Sequence, residues 1–162
     1  MLANLVVRHL RAIGLGPSAQ LGHSAAATMT LLTTEIHAQR DATVVVFAAD
    51  RRISRAGRDF GEAQKVFRVP GSRVGVGFFG IAEFRSADAV KTMSELLDDL
   101  VNAVPAGSGP RDVARILLNT LQAEMPYDDA MNEPLGFHVC GFAHDSTPEF
   151  WYVRNVDDKG VP

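Results

Sequence analysis

The residues of this chain whose types and spacing could do chemistry fall into separate groups. Gly75, Gly77 and Gly80 match G-x-G-x-x-G, the pattern of a backbone loop that cradles dinucleotide phosphates. Such a loop must follow a strand, and the Pro70-Gly71 turn leaves only Ser72 to Val74 for one. The glycines are therefore expected inside or at the end of a strand, where they admit a close neighbour. Nucleotide binding stands as the third functional reading. Arg51, Arg52, Arg55 and Arg58 could hold phosphate. Asp50, Asp59 and Glu62 balance them, and no interleaved aromatics offer a stacking platform, so a solvated loop is the expectation. His138 and Cys140 are two apart, hence on one face of a strand, as a nucleophile pair or metal site would need. Their apolar neighbours favour a structural thiol instead. His37, His144, Asp98-Asp99 and Asp128-Asp129 are expected at the surface. The last group is spread from Thr30 to Gly80: a threonine-rich segment with Thr30, Thr33 and Thr34, then Asp50, Lys65 and Gly80.

The elements that must position these groups are legible in outline. Thr30 to Ala38 and Thr43 to Ala49 read as strands, the second so continuously apolar that both its faces are expected to be buried. Arg51 to Gly61 reads as a loop or irregular hairpin. Lys65 to Val69 and Arg73 to Phe79 are two more strands around the Pro70-Gly71 turn. Helical spacing follows at Ala89, Val90, Met93, Leu96, Leu97, Leu100 and Val101, with Ser86 as the expected N-cap. Pro110 suits the start of a second helix with Val113, Ile116, Leu117 and Leu121 on its apolar face. Gly136 to Ala143 and Glu149 to Arg154 complete the order as strands. Four strands, two helices and two strands point to stacked α and β layers, an α+β arrangement rather than a βαβ wind.

Composition bounds the rest. The chain has 162 residues, 46% hydrophobic and 22% charged, which suits one globular domain. A net charge of −3 argues against nucleic acid and anionic membranes as partners. The single cysteine, Cys140, excludes an internal disulfide framework and a Cys-only zinc site, and fits a cytoplasmic setting. No apolar run approaches the ~20 residues of a membrane span. The first acidic residue is Glu35. Arg8, His9 and Arg11 interrupt the apolar stretch that a secretory signal would need. Residues 1–29 are therefore expected to be a leader, a propeptide or a misassigned start.

Ala48-Ala49-Asp50-Arg51-Arg52, Lys65-Val66-Phe67 and Gly77-Phe78-Phe79-Gly80, in this order behind a threonine-rich first strand, resemble the proteasome β-type subunits. They resemble related bacterial N-terminal-nucleophile (Ntn) hydrolases equally. The resemblance runs from about Thr30 to Asn155. It implies an αββα sandwich, of which residues 30–162 would be the N-terminal portion. It also implies a threonine-type peptide or amide hydrolase, without metal or organic cofactor, that assembles as a homo-oligomer. The second reading is a non-catalytic, proteasome-like subunit or fragment that acts only in assembly.

In the family the catalytic threonine begins the first strand. A threonine hydroxyl needs a base, and a free α-amine with a pKa near ~8 can serve. By the resemblance, Lys65 would lower that pKa, Asp50 would hold Lys65, and the Gly80 N–H would stabilise the oxyanion. The family's spacing counted back from Asp50 reaches Thr34. Thr30 needs a hairpin four residues longer, which Gln39 to Thr43 supplies. Thr30 and Thr34 share a strand face and Thr33 does not. Thr30 is the preferred nucleophile because it follows Met29 and a Met-Thr start is readily trimmed; Thr34 is the alternative. Met29 stands where the family's self-processing members carry glycine, and the family's later supporting serine and aspartate have no counterpart before Pro162.

Overall fold

The computed structural model describes residues 31–38, 41–55, 58–85, 89–125 and 135–155. Thr30, the expected leader, Ser86 and Asp128-Asp129 lie outside them. The chain opens with an antiparallel hairpin of β1 (Leu32–Ala38) and β2 (Thr43–Ala49), Leu32 opposite Ala49 and Thr34 opposite Phe47. The arginine-rich segment forms the hairpin β3 (Arg52–Arg55) and β4 (Arg58–Glu62), irregular because its register shifts between Ile53 and Ser54. Next come β5 (Val66–Arg68) and β6 (Val74–Gly80), then a small hairpin of β7 (Glu83–Arg85) and β8 (Val90–Thr92). The helices α1 (Met93–Ala103) and α2 (Pro110–Glu124) follow, and β9 (Leu135–Phe142) and β10 (Pro148–Arg154) close the order. Strands β10, β9, β6 and β5 form one antiparallel sheet in that order, so β10 is an edge strand.

Alternation along β6 divides the molecule into layers. Val74, Val76 and Phe78 point to one face and join the core with Phe137, Val139 and Val153 from β9 and β10. The helices cover this face: α1 packs by β5, and α2 lies over β9 and β10. Met93, Leu96, Leu97, Leu100 and Val101 are buried from α1, at the spacing of one helical stripe. Val113, Ala114 and Leu117 are buried from α2, with Ile116 and Leu121 only partly covered. The opposite face carries Gly75 and Gly77. A Cβ on Gly75 would stand 2.7 Å from the Phe47 ring, and one on Gly77 would stand 2.7 Å from Leu32. The glycine track is thus where the β1–β2 hairpin seats on the sheet, and the G-x-G-x-x-G letters serve that packing. The result is mixed α and β, mostly strands with two helices, in the expected α+β class.

Several expectations need correction. The β2 strand is covered on one face only: Val45 and Phe47 face inward, while Val44 and Val46 are 52% and 43% exposed. A two-stranded hairpin lying on a sheet buries one side, which a continuously apolar sequence does not reveal. The first helix starts later than its apolar spacing suggests. Thr92 is its N-cap, with the Thr92 hydroxyl accepting from the Glu95 N–H and the Glu95 carboxylate accepting from the Thr92 N–H. This reciprocal cap ends the strand β8, so Val90 belongs to a strand and Ala89 precedes it. In consequence no helix directly follows Gly80; the β7–β8 hairpin intervenes. Among the described residues, no helix is long and apolar enough to cross a membrane.

Candidate functional site

The site is built where β2 ends and β5 begins. Lys65 immediately precedes β5 and is 4% exposed. Its ammonium donates to Asp50 Oδ1 at 2.7 Å and to the Arg52 carbonyl. Taking an ammonium out of water is costly unless charge and hydrogen bonds replace the solvent, and this pair of acceptors does so. The backbone around the lysine is held from two sides. Its carbonyl accepts from the Phe78 N–H of β6, and the Ser94 hydroxyl of α1 donates to the Gln64 carbonyl. Asp50 is held by its own N–H, which donates to the Leu31 carbonyl at 3.1 Å. That bond ties the beginning of the described chain to the carboxylate that receives Lys65.

Gly80 ends β6 with a φ of +97°, a conformation that favours glycine. It lies two residues along β6 from Phe78, the backbone partner of Lys65, hence about 7 Å away along the strand. Thr34 lies elsewhere. It sits opposite Phe47, three positions before Asp50, about 10 Å along the hairpin. Its hydroxyl shares a 2.9 Å hydrogen bond with His138 Nδ1. Leu32, two residues before it in β1, packs on Gly77. The structure therefore brings Asp50 and Lys65 together, puts Gly80 on the neighbouring strand end, and sets Thr34 apart.

The Thr34–His138 pair was not legible in the sequence. Residue alternation does place His138 and Cys140 on one face of β9, but the partner of His138 comes from β1 across the interlayer gap, not from Cys140. The imidazole packs edge-on against Phe79, Phe150 and Tyr152, with ring centroids 6.2, 5.0 and 5.4 Å away. Burial there pushes its pKa down to about 4, so it is neutral near pH 7. Burial also pushes the Cys140 thiol up to about 11, which removes it as a thiolate nucleophile at neutral pH. The Arg52 carbonyl was equally invisible, since main-chain acceptors leave no mark in a sequence.

The remaining sequence candidates resolve simply. Of the acids expected to balance the arginine cluster, Glu62 meets Arg51 at 3.6 Å, both well exposed, while Asp50 turns inward to Lys65. His37 pairs with Glu35 at the surface, and His144, Asp98 and Asp99 are exposed. Among the described residues, no group of three or more His, Cys, Asp and Glu is placed to hold a metal. An open groove of about 670 Å³ runs past Gln64, Phe67 and Val90 and the acidic Glu95, Asp98 and Asp99. Comparison of the chain with models of known protein families, with curated proteins and with solved structures found no match.

Proposed function

We propose that this chain is a proteasome-like Ntn hydrolase domain that cleaves peptide or amide bonds with Thr30 as the nucleophile. The observation that carries the reading is the pairing of the buried Lys65 ammonium with the partly exposed Asp50 carboxylate, tied through the Asp50 N–H to Leu31, the residue covalently joined to Thr30. With Thr30 as the first residue, its α-amine takes the hydroxyl proton as Oγ1 attacks the scissile carbonyl. The Lys65 ammonium keeps that amine largely neutral at working pH. The oxyanion of the tetrahedral intermediate is stabilised by the Gly80 N–H. The protonated α-amine gives its proton to the leaving amine. Water then attacks the Thr30 ester, with the same amine as base, and releases the acid. No metal or organic cofactor enters these steps. The reading includes assembly of further copies and a cytoplasmic setting.

A second reading is a proteasome-like subunit that acts only in assembly. The exposed Val44 and Val46 on the outer face of the β1–β2 hairpin favour it, because a subunit interface would cover them. One experiment separates the two. The protein is prepared so that intact mass shows Thr30 as the first residue, and is treated with a threonine-directed covalent probe. Labelling that disappears in Thr30→Ala and Lys65→Met but is only slowed in Thr34→Ala supports the hydrolase. Absence of labelling on a chain that begins at Thr30 overturns it in favour of assembly.

A further inference from the structure

The β1–β2 hairpin is a layer only two strands wide, and the proposed site depends on it. A two-stranded hairpin alone is marginal in water, so its seating on the sheet decides its geometry. Phe47 over Gly75 and Leu32 over Gly77 supply that seating, but apolar contact is non-directional and tolerates sliding. The ladder from Leu32–Ala49 to Ala38–Thr43 holds β1 against β2, so the freedom left is a slip of the hairpin over the sheet, which would carry Leu32 off Gly77 and Thr34 off His138. A polar bond with a defined length and direction penalises such a slip, because it would leave partly buried polar groups without their partner. Among the described residues, the Thr34 hydroxyl bonded to His138 Nδ1 is such a bond on the part of β1 that meets β9. His138 is itself well held. It pairs with Gly77 on one side and Tyr152 on the other within the sheet, and three aromatic rings surround it.

We infer that His138 is a positioning residue. Through the Thr34 hydroxyl it locks the seating of the hairpin on the sheet and so delivers the start of β1 to Asp50 and Lys65. The inference rests on the hydrolase reading, in that the residue it delivers is the proposed nucleophile. Thr34 is three residues from Leu31, whose carbonyl receives the Asp50 N–H. A loosening at Thr34 therefore reaches the site through one short, extended segment.

Amide hydrogen exchange on the full chain tests this without any need for activity. Exchange of the Asp50 N–H reports whether the start of β1 stays seated, and that of the Leu97 N–H in α1 reports global stability. Thr34→Val keeps the side-chain shape and removes the hydroxyl; His138→Leu keeps apolar bulk and removes the imidazole. Each is expected to speed Asp50 exchange by on the order of tenfold while leaving Leu97 unchanged. The double variant is expected to be no faster than either single one, as two halves of one interaction must be. His138→Asn, which returns an amide at the position of Nδ1, is expected to restore slow exchange. Unchanged Asp50 exchange in both single variants overturns the inference. Acceleration that is equal at Asp50 and Leu97 overturns it too, because the pair would then be merely structural. Labelling of Thr30 in the wild type is read separately: slow-exchange rescue without any labelling sinks the hydrolase reading and leaves the strand lock standing.

Discussion

The two faces of the four-stranded sheet are built on different physics. On the helix side, Val76, Phe78, Phe137 and Val139 meet Leu97 and Leu117 in a dry core, with each of these side chains nearly inaccessible. On the hairpin side, Gly75 and Gly77 admit Phe47 and Leu32 beside an aromatic cluster around His138, the covering layer is two strands wide, and polar bonds do much of the holding. The helix face supplies bulk stability. The hairpin face supplies placement, because a hydrogen bond has a preferred length and direction and apolar contact does not. Asp50 lies at the end of the hairpin and Lys65 meets it there, on the side that can be perturbed without emptying the core.

That contrast can be broken most severely from the helix side. Leu97→Ala removes a fully buried side chain and is expected to cost about 3 kcal/mol, read as a lower urea midpoint with no particular effect at Asp50. Equal loosening of both faces would show that the division is not real. The next effect is asymmetric. Asp50→Ala takes the carboxylate away from the buried Lys65 ammonium and is expected to cost about 2 kcal/mol. Lys65→Met is expected to cost less, since the Asp50 carboxylate is 35% exposed and can turn to water. Denaturation curves of the two variants check the order, and a reversed order would mean that the carboxylate is the more confined partner.

His138 makes the hairpin face sensitive to acid. Its folded-state pKa is about 4, below the ordinary 6.5, because burial disfavours the imidazolium. The unfolded chain therefore binds the extra proton first as pH falls. The stability tied to neutral His138 is complete above pH 6.5 and is lost as pH drops toward 4. The expected loss is about 2 kcal/mol, after allowance for the partial exposure of the ring. It should vanish in His138→Leu. A wild-type pH profile identical to that of the variant would refute the shift. The smallest effect is Gly77→Ala, whose Cβ must push Leu32 aside; about 1 kcal/mol is expected because a leucine tip can give way. Its hydrogen-exchange signature should fall on β1 and spare α1.

Much of the architecture is legible in the sequence. The helical stripe at Met93, Leu96, Leu97, Leu100 and Val101 and the Pro110 helix start are local signals, fixed by periodicity and by the missing N–H of proline. The Pro70-Gly71 turn between β5 and β6 is equally local, as is the β2 span. The errors also have local causes. Ser86 and Thr92 both suit an N-cap, and only Glu95 at the reciprocal position, with the β8 strand before it, decides for Thr92. The unbroken apolar run of β2 looked doubly buried because a sequence does not say how many layers lie above a strand.

Of the chemistry, the sequence by itself determined which groups exist and which face each occupies: a lysine ahead of β5, an aspartate after β2, a glycine at the end of β6, and His138 and Cys140 on one side of β9. Tertiary structure alone decided who meets whom. It brought Asp50 onto Lys65, added the Arg52 carbonyl, and joined Thr34 to His138 across 104 residues of chain. The reason is physical. Periodicity and turn chemistry act over a few residues and are written locally, whereas the fit between layers follows from long-range contacts, Phe47 and Leu32 over glycines of a distant strand and Thr34 bonded to His138.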